Sequence, residues 1–170
     1  MFKNIISPYI IAEIGANHNG DLKLAKKTIL AAKKAGCDAV KFQSWDEKLF
    51  SKSFYSKNPS LLGQTLKYKI NFKNMLMLRN FAAKKKINFG TAVFDKKQLS
   101  EALKIKCDFI KIASMDINNT YLLNLVSKIK NIVVVSTGTA TKYEIIKAAN
   151  IFHKNKKKKC NFFTLYFSIS

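Results

Sequence analysis

Two lysines stand inside otherwise apolar runs, and this placement suggests that the chain binds an anion. Lys41 lies in the run AVKFQ and Lys111 in the run FIKI. Lysine is almost never fully buried without a partner, so both ammonium groups require negative charge. Two sources stay open: internal acids such as Glu13 and Asp116 in a structural ion-pair network, or an anionic ligand.

Further polar residues follow the apolar runs directly. Glu13 interrupts the first run, where an unpaired buried carboxylate would be very costly. Phosphate and carboxylate oxygens could accept hydrogen bonds from backbone N–H groups near Gly138, at a predicted helix start, and from side-chain hydroxyl groups. These hydroxyl groups belong to Thr91, Ser114, Ser136 and Thr137. A loop histidine is more often a hydrogen-bonding group than a proton carrier, and both roles stay open for His18. The candidate site residues are Glu13, Asn17, His18, Lys41, Gln43, Thr91, Lys111, Ser114, Asp116, Ser136 and Thr137.

The elements that must position these residues alternate along the chain. Repeated pairs of an apolar run and an amphipathic segment predict βα units with a parallel sheet, and runs without alternation predict strands covered on both faces. The segment 44–70 is long for a connection and reads as a substrate-covering loop. The predicted strands are 9–14, 38–43, 87–91, 108–112, 131–136 and 161–168, and the predicted helices are 21–35, 71–86, 95–104, 119–130 and 141–155.

Two α/β folds fit this alternation, a doubly wound sheet and a (β/α)8 barrel. The glycine fingerprint of dinucleotide-binding sheets is missing after the first strand. Polar residues at nearly every strand end favour the barrel, whose sites collect residues from many strands. A complete barrel has eight units and typically about 250 residues. The 170-residue chain supplies five units and part of a sixth, so we predict an incomplete TIM-type barrel.

The charge balance is strongly basic, with 31 Lys and Arg against 10 Asp and Glu. A basic protein that binds RNA or an anionic surface without catalysis is therefore one alternative. Only Arg79 is an arginine, whereas nucleic-acid surfaces favour arginine for its bidentate geometry. Lysines spread over every predicted helix, together with abundant Asn, Ile and Phe, favour biased codon usage instead. We accordingly expect no nucleic-acid partner.

Cysteine use and hydropathy bear on location. Cys37, Cys107 and Cys160 are widely spaced and form no CxxC pair, which is typical of a reduced cytoplasmic protein with packing thiols. No apolar run approaches the roughly 20 residues that cross a bilayer, and no signal peptide is recognisable. We therefore expect a cytoplasmic protein with no membrane association.

Four motifs, taken in order, resemble the sialic acid synthase family of N-acetylneuraminate, legionaminate and pseudaminate synthases. They are IAEIGANHNG at 11–20, AVKFQ at 39–43, FIKIAS at 109–114 and VSTG at 135–138. The resemblance implies a (β/α)8 barrel followed by a small antifreeze-like domain, in a homodimer. It also implies condensation of phosphoenolpyruvate with an N-acetylated hexose, giving a nine-carbon 2-keto sugar acid and phosphate.

The same resemblance implies roles for individual residues. Phosphoenolpyruvate would be bound by Lys41, Thr91, Lys111, Ser114 and Ser136. Glu13 would act as an acid/base or orienting group at the sugar aldehyde. Asp116 stands where many members carry Glu and would contact sugar hydroxyls, with Gln43 as support. Asn17, His18 and Thr137, which follow the first and fifth predicted strands, complete the predicted substrate-binding set on the ground of those positions and not of the resemblance.

The resemblance further implies a divalent metal, Mn²⁺ or Mg²⁺, whose two histidine ligands belong to later strands. Residues 1–170 accordingly read as the N-terminal portion of the barrel domain, without the C-terminal strands and the antifreeze-like domain. The run Lys156–Lys159 suggests an A-rich slippage site and a frameshifted or truncated gene product. A related phosphoenolpyruvate-dependent synthase of another 2-keto sugar acid is the second enzymatic alternative.

Overall fold

The computed structural model describes residues 8–44, 46–138 and 140–155, together with the backbone of 160–163. The chain divides into two compact units, Met1–Gly90 and Thr91–Ser170, and the division falls inside the third strand. Each unit is described by itself below.

Strands and helices alternate as the sequence predicts. Pairing is parallel between the first and second, fourth and fifth, and fifth and sixth strands, and the strand order in the sheet follows the chain. A doubly wound sheet reverses its strand order, so a sequential order is typical of a barrel. The strands are β1 Ile11–Gly15, β2 Ala39–Gln43, β3 Asn88–Ala92, β4 Phe109–Ile112, β5 Ile132–Ser136 and β6 Cys160–Phe163. The helices are α1 Leu22–Lys34, α2 Lys52–Lys57, α3 Pro59–Tyr68, α4 Phe72–Lys84, α5 Lys96–Lys104, α6 Thr120–Ser127 and α7 Lys142–Lys154, with a 3-10 turn at Ser114–Asp116.

In the first unit, α1 shows why its sequence forms a helix at this place. The Asp21 carboxylate accepts a hydrogen bond from the Lys23 N–H at 2.6 Å and so caps the amino end. Gly36 follows the helix with a φ of +82°, a conformation that glycine adopts without strain. Buried residues of the predicted apolar face pack inward, namely Ala25, Ile29 and Ala32.

The prediction of a loop over 44–70 is wrong, because most of this segment forms α2 and α3. Ser51 caps α2 by accepting from the Phe54 N–H at 3.1 Å, and Pro59 starts α3. The Tyr55 hydroxyl donates to Thr65 Oγ1 at 3.4 Å, which holds the two short helices together through buried side chains. The length of the segment alone therefore did not indicate a loop, because tertiary packing supports two short helices within it.

The prediction that the strands are covered on both faces holds for β2 to β5 and is wrong for β1. Every residue of β4 and β5 is buried. In β1 only Ile14 is buried and Glu13 is exposed, because among the described strands β1 is at one edge of the sheet order and has β2 as its neighbour. The exposed carboxylate therefore escapes the desolvation that a central strand would impose.

The second unit follows the predicted boundaries, except that α6 ends at Ser127 rather than at 130. Asp95, Asn119 and Thr141 cap α5, α6 and α7 through their side chains. Cys107 is buried and, in the first unit, Cys37 is half-buried, and neither forms a disulfide among the described residues, as predicted for packing thiols. The side chain of Cys160 and residues 164–168 of the last predicted strand lie outside the described residues. No described helix is both long and apolar enough to cross a membrane.

Candidate functional site

Lys41 is almost completely buried, at 4% exposure, and its ammonium group forms an ion pair with Glu13. The two residues are directly paired in the register of β1 and β2. The side chain of Glu13 is 48% exposed, so solvent reaches the pair from the carboxylate side. Of the two predicted sources of negative charge, an internal acid is the one present at Lys41. Solvent therefore contacts the Glu13 end of the pair, whereas the Lys41 ammonium group is buried.

Lys111 is the second buried lysine, at 7% exposure, and its Nζ donates a hydrogen bond to Ser136 Oγ. Lys111 is paired in register with Val134, and Ser136 lies two residues further along the same face of β5. The ammonium group therefore extends toward the carboxyl ends of the strands. This is the end of a parallel sheet at which α/β proteins bind ligands.

Asp116 closes the turn after β4 with a carboxyl group that is only partly satisfied. Its Oδ1 accepts from Asn119 Nδ2 at 3.4 Å, and its Oδ2 is buried without a hydrogen-bond partner among the described residues. Burial raises the pKa of the Asp116 carboxyl, and the bond from Asn119 opposes that rise. The raised pKa favours the neutral carboxyl, and one of its oxygens has no partner among the described residues. Asn119 escaped the sequence interpretation, although its place at a predicted helix start was a signal.

His18 is completely buried in the turn after β1, and its environment assigns its tautomer. Nδ1 accepts a hydrogen bond from the Gly20 N–H at 3.0 Å, so the ring proton belongs on Nε2. Nε2 is buried without a partner among the described residues. Burial lowers the pKa of His18, and the backbone at Gly15 acts in the opposite direction. Near neutral pH the ring is thus an uncharged donor.

The turn that carries His18 depends on a glycine beneath α3. Gly20 has a φ of +80°, and a Cβ at this position would lie 2.4 Å from the carbonyl oxygen of Lys67. The His18 ring also packs beside Phe42, with 6.0 Å between ring centroids. The turn is therefore held between β2 and the helical segment that replaces the predicted loop.

The remaining predicted residues differ in their surroundings. Asn17 is exposed, and the half-buried Gln43 places its Oε1 close to Gly15, where a Cβ would be 3.6 Å away. Thr91 is buried and donates to the Ala92 carbonyl at 3.3 Å. Ser114 is half-buried, and Thr137 is buried with its carbonyl accepting from the Ala140 N–H at 3.0 Å.

The structure groups these residues by unit. In the first unit Glu13 and Lys41 pair in the middle of β1 and β2, and Gln43 and His18 lie at and beyond the carboxyl ends of these strands. In the second unit Lys111 and Ser136 contact each other. Convergence of Lys41 and Lys111 on one ligand stays a prediction.

Side chains of the types that ligate metals are dispersed in the described part of the chain. No group of three or more His, Cys, Asp or Glu residues in the described part of the chain could hold a metal ion. The orphaned Nε2 of His18 and Oδ2 of Asp116 belong to different units. These residues do not form a metal site by themselves, and the expected divalent ion remains a prediction.

Comparison with known proteins defines the class to which this fold and these strand-end residues belong. The NeuB family model matches residues 28–166, which is most of the chain. The chain belongs to the NeuB family. Its α/β fold is that of a TIM-type barrel, of which the described residues hold five βα units and a sixth strand.

Several relatives carry specific names. The chain is 35% identical over 167 residues to the N,N'-diacetyllegionaminic acid synthase of Campylobacter jejuni, with 92% of this chain and 50% of that protein covered. It is 31% identical over 165 residues to the N-acetylneuraminate-9-phosphate synthase of Drosophila melanogaster, covering 92% and 44%. The chain therefore spans about half the length of the curated relatives it matches.

A solved structure agrees with these relatives. The N-acetylneuraminic acid synthetase of Leptospira borgpetersenii, crystallised with citrate, superposes with a TM-score of 0.85 at 34% sequence identity. The match covers 100% of this chain and 59% of that one.

Proposed function

We propose that this chain forms part of an enzyme that condenses phosphoenolpyruvate with an N-acetylated hexose. The acceptor is N-acetylmannosamine or a related diacetamido sugar, and the products are a nine-carbon 2-keto sugar acid and phosphate. The names of the relatives support a sugar acid synthase, and they differ in the sugar acid that each makes. The observation that carries the proposal is the burial of Lys41 and Lys111, at 4% and 7% exposure, inside parallel strands.

The first step is capture of the anionic substrate. Phosphoenolpyruvate carries a phosphate and a carboxylate, which suit two ammonium groups and nearby hydroxyls. Lys41 exchanges Glu13 for a substrate oxygen, and Lys111 binds a second oxygen while it keeps Ser136 as a neighbour. Thr91, Ser114 and Thr137 add neutral donors. Because the lysines are buried, their interactions with the substrate are screened less than those of surface lysines.

The second step forms the new carbon–carbon bond. C3 of phosphoenolpyruvate attacks the aldehyde carbon, and the aldehyde oxygen gains negative charge and then a proton. The Nε2–H of His18 donates to a substrate oxygen, and Asn17 and Gln43 help to orient the sugar. Asp116 binds sugar hydroxyls through the carboxyl oxygen that has no protein partner.

The third step releases phosphate. Water adds to C2, the carbon that bears the phosphate, and the C2–O bond to phosphate breaks to leave the 2-keto acid. Glu13, released from Lys41, orients that water and accepts its proton. A divalent ion, Mn²⁺ or Mg²⁺, would supply Lewis-acid chemistry when bound. The whole protein is proposed to act as a cytoplasmic homodimer.

The test is calorimetric titration of the purified chain with phosphoenolpyruvate, with and without Mn²⁺. We expect Lys41→Gln and Lys111→Gln each to weaken binding about 10- to 100-fold, because each removes a charge-assisted hydrogen bond worth about 1.5–3 kcal/mol. Lys27→Gln on the exposed side of α1 is the matched control and should bind normally. Lys33 is unsuitable as a control, because its Nζ donates to the Lys86 carbonyl at 2.9 Å.

Circular dichroism and thermal melting of each variant separate a binding defect from unfolding. Unchanged affinity in both folded strand variants would contradict the proposal. RNA binding, the alternative that 31 basic against 10 acidic residues raise, is tested by the same variants. If the chain binds RNA, Lys27→Gln would weaken that binding as much as Lys41→Gln, and affinity would fall steeply with salt.

A further inference from the structure

A groove of about 410 Å³ lies on the helical surface of the first unit, apart from the strand-end residues. It runs where α1 packs against α4. A volume of this size is within the range of about 300–1,000 Å³ that small-molecule sites occupy. The lining residues are Lys26 of α1 and Lys73, Leu76, Met77, Asn80, Phe81 and Lys84 of α4.

The two helices that form this groove carry positive charge only. Neither α1 nor α4 contains an acidic residue. Within the part of the chain that the structure describes, Lys26, Lys73 and Lys84 form no ion pair, whereas Lys41 and Lys69 do. The basic residues of the two helices are Lys23, Lys26, Lys27, Lys33, Lys34, Lys73, Arg79 and Lys84.

The floor of the groove is apolar and partly open to solvent. Leu76, Met77 and Phe81 form it, and Met77 is 36% exposed. The ammonium groups of Lys26 and Lys85 lie 5.7 and 5.8 Å from the centroid of the Phe81 ring. These two ammonium groups therefore make weak cation–π contacts with Phe81, and neither forms an ion pair among the described residues. Lys73, Met77 and Phe81 are spaced four residues apart, so they form one ridge along α4.

We propose that this groove binds a small organic anion with an aromatic body, of the aryl phosphate class. The anionic group pairs with Lys84 at the carboxyl end of α4, and the ring lies on Met77, where sulfur and aromatic contacts are favourable. Phosphoenolpyruvate lacks an apolar body and does not use this floor. A stacked nucleic-acid base is disfavoured, because ammonium groups already lie close to the Phe81 ring and the lining cations are all lysines.

The test compares phenyl phosphate, inorganic phosphate and phenol by calorimetric titration of the full chain. We expect phenyl phosphate to bind about ten-fold more tightly than inorganic phosphate, because its ring covers apolar surface. Lys84→Gln should weaken binding of phenyl phosphate about two- to five-fold, as expected for the loss of one exposed ion pair. Met77→Gln should reduce the preference for phenyl phosphate over phosphate.

Two controls test whether the effect is specific to the groove: a lysine outside it, and phosphoenolpyruvate as a ligand that does not use it. Lys104→Gln, on the exposed side of α5 in the second unit, should leave phenyl phosphate binding unchanged. The groove variants should bind phosphoenolpyruvate with the same affinity as the unaltered chain. Failure of the groove proposal is therefore distinguishable from failure of the proposed function. Equal affinity for phosphate and phenyl phosphate would overturn the proposal. So would binding only to vesicles of phosphatidylserine, because that result would assign the groove to a lipid surface.

Discussion

At the scale of single residues, the two orphaned polar atoms connect stability with ligand binding. Nε2 of His18 and Oδ2 of Asp116 are both buried without a hydrogen-bond partner among the described residues. An unsatisfied buried group costs about 1–3 kcal/mol. Buried groups that destabilise the folded protein in this way are typical of functional sites, where a ligand supplies the missing hydrogen-bond partner.

Asp116→Asn should stabilise the unliganded chain at pH 7. The folded-state pKa of Asp116 is raised by burial, so its contribution to stability is fully present below its ordinary pKa of 3.8 and is lost as the pH rises through the folded pKa. A neutral amide avoids that loss. We expect the melting temperature to rise by about 2–4 °C at pH 7. The gain should disappear near pH 3.5, and a gain that persists there would contradict this origin.

His18 should make the chain less stable as the solution becomes acidic. Its folded-state pKa lies below the ordinary value of 6.5, so the unfolded chain takes up a proton that the folded chain resists. Unfolding free energy, measured with urea, should fall below pH 6.5 by up to about 1.4 kcal/mol per pH unit. In His18→Asn that slope should decrease, because an Asn oxygen accepts the Gly20 N–H without titrating. His153→Asn, at an exposed position, is the matched control.

At the scale of elements, the contact between the His18 turn and α3 determines how well the first part of the site is held. Gly20→Ala should destabilise the chain by about 2 kcal/mol or more, because a Cβ would meet the Lys67 carbonyl and the φ of +80° is strained for alanine. Urea denaturation measures the change.

A second glycine provides the opposite expectation. Gly63 lies within α3, and a Cβ there would have nothing within 4 Å. Gly63→Ala should therefore stabilise the chain by about 0.5–1 kcal/mol, through helix propensity alone. Equal effects of the two substitutions would show that the close approach to Lys67 is unimportant.

At the scale of the whole molecule, the net charge of +21 should oppose folding through self-repulsion. Salt screens such repulsion, with a Debye length of about 10 Å at 0.1 M. Raising KCl from 20 to 300 mM should therefore stabilise the chain by about 1 kcal/mol, or about 2–4 °C in calorimetric melting temperature. Sucrose at the same osmolality is the control for general solute effects. A melting temperature that falls with salt would mean that attractive pairs such as Lys69 with Glu47 dominate.

The amino-acid sequence by itself determined the order of elements and the positions of the strand-end residues. Apolar runs such as IVVVS and capping residues such as Asp21 are local signals, and the observed boundaries follow them closely. The motifs around Lys41 and Lys111 likewise predicted a family that the comparisons confirm.

Only the tertiary structure decided which charges are paired and which segments are helical. Burial and hydrogen-bond partners depend on neighbours distant in sequence, so Glu13 as the exposed partner of Lys41 and the tautomer of His18 required the folded arrangement. The helices α2 and α3 gain their stability from packing such as that of Tyr55 on Thr65, which local turn signals do not report. The groove between α1 and α4 likewise exists only because two helices from separate parts of the chain lie side by side.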